Sequence, residues 1–292
     1  MLIVNIVWLC AFNKQKCIDD LNNIYANIFL LKKKIKLNFI ILDRRRQGVR
    51  KKIYFKNIDR NFYIFFSSKD RSHHEDYVFI FENINSDFTL TLSDDDIVDH
   101  KLLIEYLNLI PKLKTKKIIL AIPGEKNLNK KIYNKLKPNK SYDFWHYQLI
   151  RGPNLCHYSA ISSYQLYLIS RKFVNNNQTI WRHPLYDQCL IWAVLNKGKN
   201  KIYTVENSFL NYNNENWFNR EKILDTLNNF NLCNQTPESL VIRDVYHIYS
   251  EKKFNNQIFI WIIYLLYRNF CYYRSIGRLI KILFSILKSI NK

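Results

Sequence analysis

An apolar, β-branched stretch runs from Leu2 to Phe12 and stops at Asn13 and Lys14, the pattern of a strand buried on both faces. Behind it Ile18, Leu21, Ile24, Tyr25 and Ile28 recur on one face at helical spacing. Leu37 to Leu42 is short, nearly all apolar, and ends in Asp43. Strand, helix and strand of this kind make one βαβ unit with parallel pairing. A parallel sheet gathers its ligands at the carboxyl ends of its strands, and Asn13 and Asp43 stand at two such ends.

The alternation continues. Strands are expected at Phe62–Phe66, Phe88–Leu92 and Lys117–Ile122, and a helix near Glu75–Ile84. Leu102, Leu103, Tyr106, Leu107 and Ile110 mark another helix, stopped by Pro111, while Pro123 and Gly124 close the strand behind it. Glu125–Lys140 is polar and basic, and Ser141–Tyr158 mixes aromatics with Gly152 and Pro153, as irregular acceptor-side loops would. A further helix follows Pro184, carries Leu190, Ile191, Val194 and Leu195, and ends at Gly198, with a short strand over Lys201–Val205. No internal repeat interrupts this order. The fold class is α/β with a mostly parallel central sheet.

From Lys252 to the last residue the chain has no Asp or Glu. Arg274, Arg278, Lys281, Ser285, Lys288 and Lys292 line one face of a helix, and Ile276, Leu279, Ile280, Leu283, Phe284, Ile286, Leu287 and Ile290 fill its other sides. Phe259–Tyr267 is apolar but shorter than the ~20 residues that cross a bilayer. Three regions follow: a catalytic domain over 1–215, a helical connector over 216–253, and a basic amphipathic helical tail over 254–292. The tail reads as an in-plane anchor on an anionic membrane surface. Its alternative is packing against the domain or a partner subunit.

Composition changes this picture little. With 48% apolar and 15% aromatic residues the chain has the means to build a core, which excludes a disordered polymer. A net charge of +21 favours anionic partners. Heavy use of Ile, Asn and Lys with only 5 Gly points to compositional drift, so charge is a weak vote for nucleic acid. Six cysteines are scattered without a C-x-x-C pair, which indicates neither a zinc knuckle nor a redox motif. The opening apolar run lacks a preceding basic region and a small-residue cleavage pattern, so it reads as a strand.

The strongest chemical signal is Ser93-Asp94-Asp95-Asp96 after a strand. Three adjacent carboxylates repel one another unless hydrated or neutralised, and hard cations such as Mg²⁺ or Mn²⁺ take oxygen ligands. In extended chain Asp94 and Asp96 face the same way, as in a D-x-D motif. The bland alternative is an exposed turn or an N-cap for the helix starting near Asp99.

The run ending at Val98, ENINSDFTLTLSDDDIV, resembles the helix, strand and D-x-D loop of GT-A glycosyltransferases of the family 2 type. The opening βαβ unit is similar to theirs as well, and the likeness spans roughly residues 1–215. It implies a GT-A type nucleotide-diphospho-sugar transferase fold, with Asp43 on base or ribose and Asn13, Asp94 and Asp95 also lining the donor site. HPLYDQCLIW, from His183, resembles the acidic motif that supplies the base in inverting members, with Asp187 as the matching carboxylate and Tyr186 where a second acid often stands. The implied partners are a nucleoside diphosphate sugar, a glycan or lipid-linked acceptor, and Mn²⁺ or Mg²⁺ held by Asp94 and Asp96. A cytoplasmic enzyme at the inner face of the membrane, inverting and making cell-surface glycans, is the expectation; a retaining course stays open, and His183 is the fallback base.

No Gly precedes Gly48, which excludes a G-x-G-x-x-G turn or a P-loop after the first strand and argues against a sugar nucleotidyltransferase. His73 and His74 are adjacent and read as surface residues; Cys156 with His157 lacks a third group; Arg44, Arg45 and Arg46 read as a solvated loop. Two other classes compete. A non-catalytic basic protein binding nucleic acid or anionic membrane accounts for the charge but not the acidic run. A phosphoryl-transfer enzyme lacks a second acidic motif.

Overall fold

The computed structural model describes residues 1–10, 14–43, 62–66, 73–94, 97–115, 120–122, 141–143, 160–175, 201–205 and 209–211, together with 263, 276, 277, 280, 281, 283, 284 and 287. The elements in chain order are β1 (Leu2–Cys10), α1 (Lys14–Ala26), β2 (Ile35–Asp43), β3 (Phe62–Phe66), α2 (His73–Asn83), β4 (Phe88–Ser93) and β5 (Ile97–Val98). Then come α3 (His100–Leu107), α4 (Ile110–Thr115), β6 (Leu120–Ile122), β7 (Ser141–Asp143), β8 (Ala160–Ser162), α5 (Ser163–Asn175), β9 (Lys201–Thr204) and β10 (Leu210–Asn211).

The fold is α/β around a mostly parallel sheet, in the order β3-β2-β1-β4-β8-β6-β9-β7. β3, β2, β1 and β4 run parallel, β8 is antiparallel to both β4 and β6, β9 is parallel to β6, and β7 closes the edge antiparallel to β9. β1 is the centre because both its faces are apolar. Val4, Ile6, Trp8 and Cys10 join Cys17, Leu21 and Ile24 of α1 and Leu103, Ile104 and Leu107 of α3 in one core layer. Val7 joins Ile40, Leu42, Phe65, Ile80 of α2 and Ile84 just after it in the opposite layer. This two-sided burial is why β1 lacks polar alternation. One polar pair is enclosed where β1 meets β2: the Asn38 amide donates to Asn5 Oδ1 at 2.9 Å.

Several expectations change. Pro111 does not stop a helix; it is the second residue of α4, in a first turn where a missing N–H costs nothing. Asn108 ends α3 instead. Ile28 leaves the face of α1 and lies exposed in a 3₁₀ turn, Ile28–Leu30. Ser141–Asp143, expected to be irregular, is a strand fixed by β9, a neighbour remote in sequence. His74 is fully buried rather than at the surface, because the first turn of α2 points it inward. β8 and α5, over residues for which the sequence pattern predicts no element, extend the sheet beside β4 and pack α5 against α2.

Residues 216–253 lie outside the described residues. In the tail, Ile276, Ile280, Leu283, Phe284 and Leu287 are helical and exposed, Phe284 to 68%. Among the described residues no helix is long and apolar enough to cross a membrane.

Candidate functional site

The carboxyl ends of three parallel strands form one row. Cys10 ends β1 and is in register with Asp43, the end of β2; Leu9 is in register with Ser93, the end of β4. The chain fills the sheet outward from β1 through β2 to β3, then crosses back to place β4 on the other side of β1. Connections leaving β1 and β4 diverge there, and such a switch point opens a crevice at the carboxyl ends. Asp94 follows directly, held to β1 by its N–H bonding the Leu9 carbonyl at 3.4 Å.

Asp43 and Asp94 are both buried, at 1% and 3% exposure. Asp94 does not face water: one oxygen of its carboxylate and the Sγ atoms of Cys10 and Cys17 all lie within 4.8 Å of one another. Both side chains are buried thiols and are not joined in a disulfide. Cys17 enters from the first turns of α1, whose apolar face packs on β1. Its pKa is pushed far above the ordinary thiol value, first by its hydrogen bond with Cys10, then by burial, then by the charges of Cys10, Asp94 and Asp20. Asp20, one turn along α1, is ion-paired with Lys16 at 3.0 Å and meets His100 Nε2 of α3 at 3.1 Å.

The helix after the acidic run is capped by Asp99, whose Oδ1 accepts from Lys101 and Leu102 N–H groups, each at 3.1 Å. Capping is thereby filled from outside the triplet. On the far side of the sheet a hydroxyl network ties α5 to β4: Ser163 Oγ lies 2.6 Å from Ser86 Oγ and 2.8 Å from Thr89 Oγ1. It sits at the amino end of β4 and is structural. Tyr106 of α3 accepts a 2.7 Å bond from the Ala160 N–H, bracing β8; burial raises its pKa, against the lowering effect of that bond.

Of the expected site residues, the fold brings Asp43 and Asp94 to one edge. Asn13, Asp95, Asp96, His183 and Asp187 lie outside the described residues. Two thiols that sequence spacing passed over, Cys10 and Cys17, join Asp94. Their six-residue separation carries no motif, and their carboxylate partner arrives only when β4 docks. Mg²⁺ and Mn²⁺ select oxygen donors. The described donor set around Asp94, two thiols and a carboxylate, is softer than such an ion prefers, and Asp96, the other expected ligand, lies outside the described residues.

No protein-family model and no curated relative matches the chain. Among solved structures it is similar to TarS 1-349 of S. aureus, at 11% identity and TM-score 0.44, over 100% of this chain and 88% of that one. Glucosyl-3-phosphoglycerate synthase of Mycobacterium tuberculosis, solved with Mn²⁺, UDP-glucose and phosphoglyceric acid, is similar at 14% identity and TM-score 0.43, over 78% and 79%. A 4-diphosphocytidyl-2C-methyl-D-erythritol synthase from Anaerococcus prevotii is similar at 13% identity and TM-score 0.42, over 79% and 96%. At these identities and scores the likenesses carry no assignment of activity or of residues.

Proposed function

We propose that the chain is a glycosyltransferase that moves a sugar from a nucleoside diphosphate donor to an acceptor hydroxyl. The observation that carries this reading is the position of Asp94, the first residue of the acidic run: it leaves β4 at the switch point with β1, in a row with Asp43. In this reading Asp43 contacts the base or ribose of the donor, and Asn13, Asp94 and Asp95 also line the donor site. Asp187 accepts the proton of the attacking hydroxyl, with His183 as the fallback, and the course is inverting. Asp94 and Asp96 are the carboxylates that would hold Mn²⁺ or Mg²⁺, and a divalent ion there would supply charge neutralisation for the departing diphosphate.

The membrane reading belongs to the same proposal. Exposed Ile276, Ile280, Leu283, Phe284 and Leu287 alternate along the tail with Arg278, Lys281 and Lys288, a combination suited to an anionic bilayer surface. A lipid-linked acceptor and a part in cell-surface glycan synthesis follow from that placement.

The test is binding of uridine and guanosine diphosphates, with and without manganese, to wild type and Asp96→Ala. Manganese-dependent binding that the substitution abolishes supports the reading. Full affinity in Asp96→Ala would remove the metal assignment, and no nucleotide binding at all would remove the transferase reading in favour of a non-catalytic basic protein.

A further inference from the structure

We propose that Cys10, Cys17 and Asp94 form a binding site for a single thiophilic divalent cation of the zinc type, distinct in chemistry from the hard-ion role of Asp96. The argument is geometric. Three elements deliver one donor atom each: Cys10 from the last residue of β1, Cys17 from the first turns of α1, and Asp94 from the residue after β4. Their ligand atoms all lie within 4.8 Å of one another. Donors about 2.0–2.3 Å from a tetrahedral ion stand about 3.3–3.8 Å apart, so closing on a cation takes a contraction of at most about 1–1.5 Å.

The donor types select the ion. Two thiolates and one carboxylate suit zinc, whereas magnesium, calcium and manganese prefer oxygen throughout. Three protein ligands leave a fourth tetrahedral position, which one water would fill. Binding displaces a proton from each thiol to solvent: the zinc ion and two S–H groups give two Zn–S bonds and two released protons, with no redox change.

The surroundings fit a cation. Asp20 on α1 adds negative charge towards Cys17, and it is itself held by Lys16 and by His100 of α3. Core packing alone would be served by apolar side chains here, since Cys10 and Cys17 belong to the same core layer as Trp8, Leu21 and Leu92. A cation would staple β1, α1 and β4 together at the switch point. The proposal stands apart from the transferase reading, because its readouts need no donor sugar.

The experiment uses the full chain, reduced and stripped with chelator, titrated with Co²⁺ and then back-titrated with Zn²⁺. One equivalent of Co²⁺ should produce a sulfur-to-metal charge-transfer band that Zn²⁺ displaces. The band should be lost in Cys10→Ser and in Cys17→Ser, weakened in Asp94→Asn, and unchanged in Asp96→Asn. X-ray absorption of the zinc-loaded wild type, which needs no variant to fold, should show two sulfur neighbours. Absence of the band in wild type, a sulfur count other than two, or a band that survives both folded cysteine variants would overturn the site.

Discussion

Replacing Tyr106 with Phe tests the bracing of the sheet edge beside the site. The ring stays, including its packing on Phe209 at a centroid distance of 5.0 Å. What is lost is the oxygen that accepts the 2.7 Å bond from the Ala160 N–H. Ala160 is fully buried, so its donor is left in an apolar core without water. Stranding a buried N–H costs about 1–3 kcal/mol. Urea unfolding followed by circular dichroism at pH 7 should show a loss in that range. A second signature comes from pH. Burial raises the Tyr106 pKa above its ordinary value of about 10, so the folded protein keeps this proton where the unfolded chain gives it up. That contribution is full below about pH 10 and falls as pH rises towards the folded value. Phe lacks it, so the gap between wild type and variant should narrow above about pH 10. A stability change below about 0.5 kcal/mol at pH 7, or a gap that widens at high pH, would refute the assignment of the bond.

Other outcomes follow from the same structure. Asp99→Ala removes the cap from α3 and should cost about 1 kcal/mol by thermal or urea unfolding, with Asp99→Asn close to wild type. Asp187→Asn should leave nucleotide binding intact while transfer falls by roughly 10²–10⁴; rates within a few fold of wild type would leave Asp187 a helix-dipole partner only. In flotation with anionic vesicles at low salt the full-length protein should rise with the lipid and be released as salt is added, each basic residue near the surface being worth about 1 kcal/mol. A protein that stays at the bottom of that gradient would eliminate the anchor.

Much of the sheet was legible along the chain because β1, β2, β3 and β4 are buried on both faces. Runs such as Leu2–Cys10 and Phe62–Phe66 are therefore apolar without alternation, and the helices between them keep helical spacing. Asp43 and the Asp94–Asp96 run could be placed at strand ends for the same reason: a change from apolar to acidic residues marks where a parallel strand leaves the core. Short elements gave no such signal. β7 and β8 each have three residues, too few for a period, and exist because β9 and β4 supply the hydrogen bonds. Pro111 reads equally as a stop or a start until the next turn is seen. His74 and the pair Cys10 and Cys17 show the same limit at the level of side chains. Sequence determined that these residues were present and on which elements they lay, since local periodicity is a property of neighbours along the chain. Only the tertiary structure decided that two cysteines without a motif share one buried point with Asp94, because that point exists only where β4 pairs with β1 and α1 folds back across them.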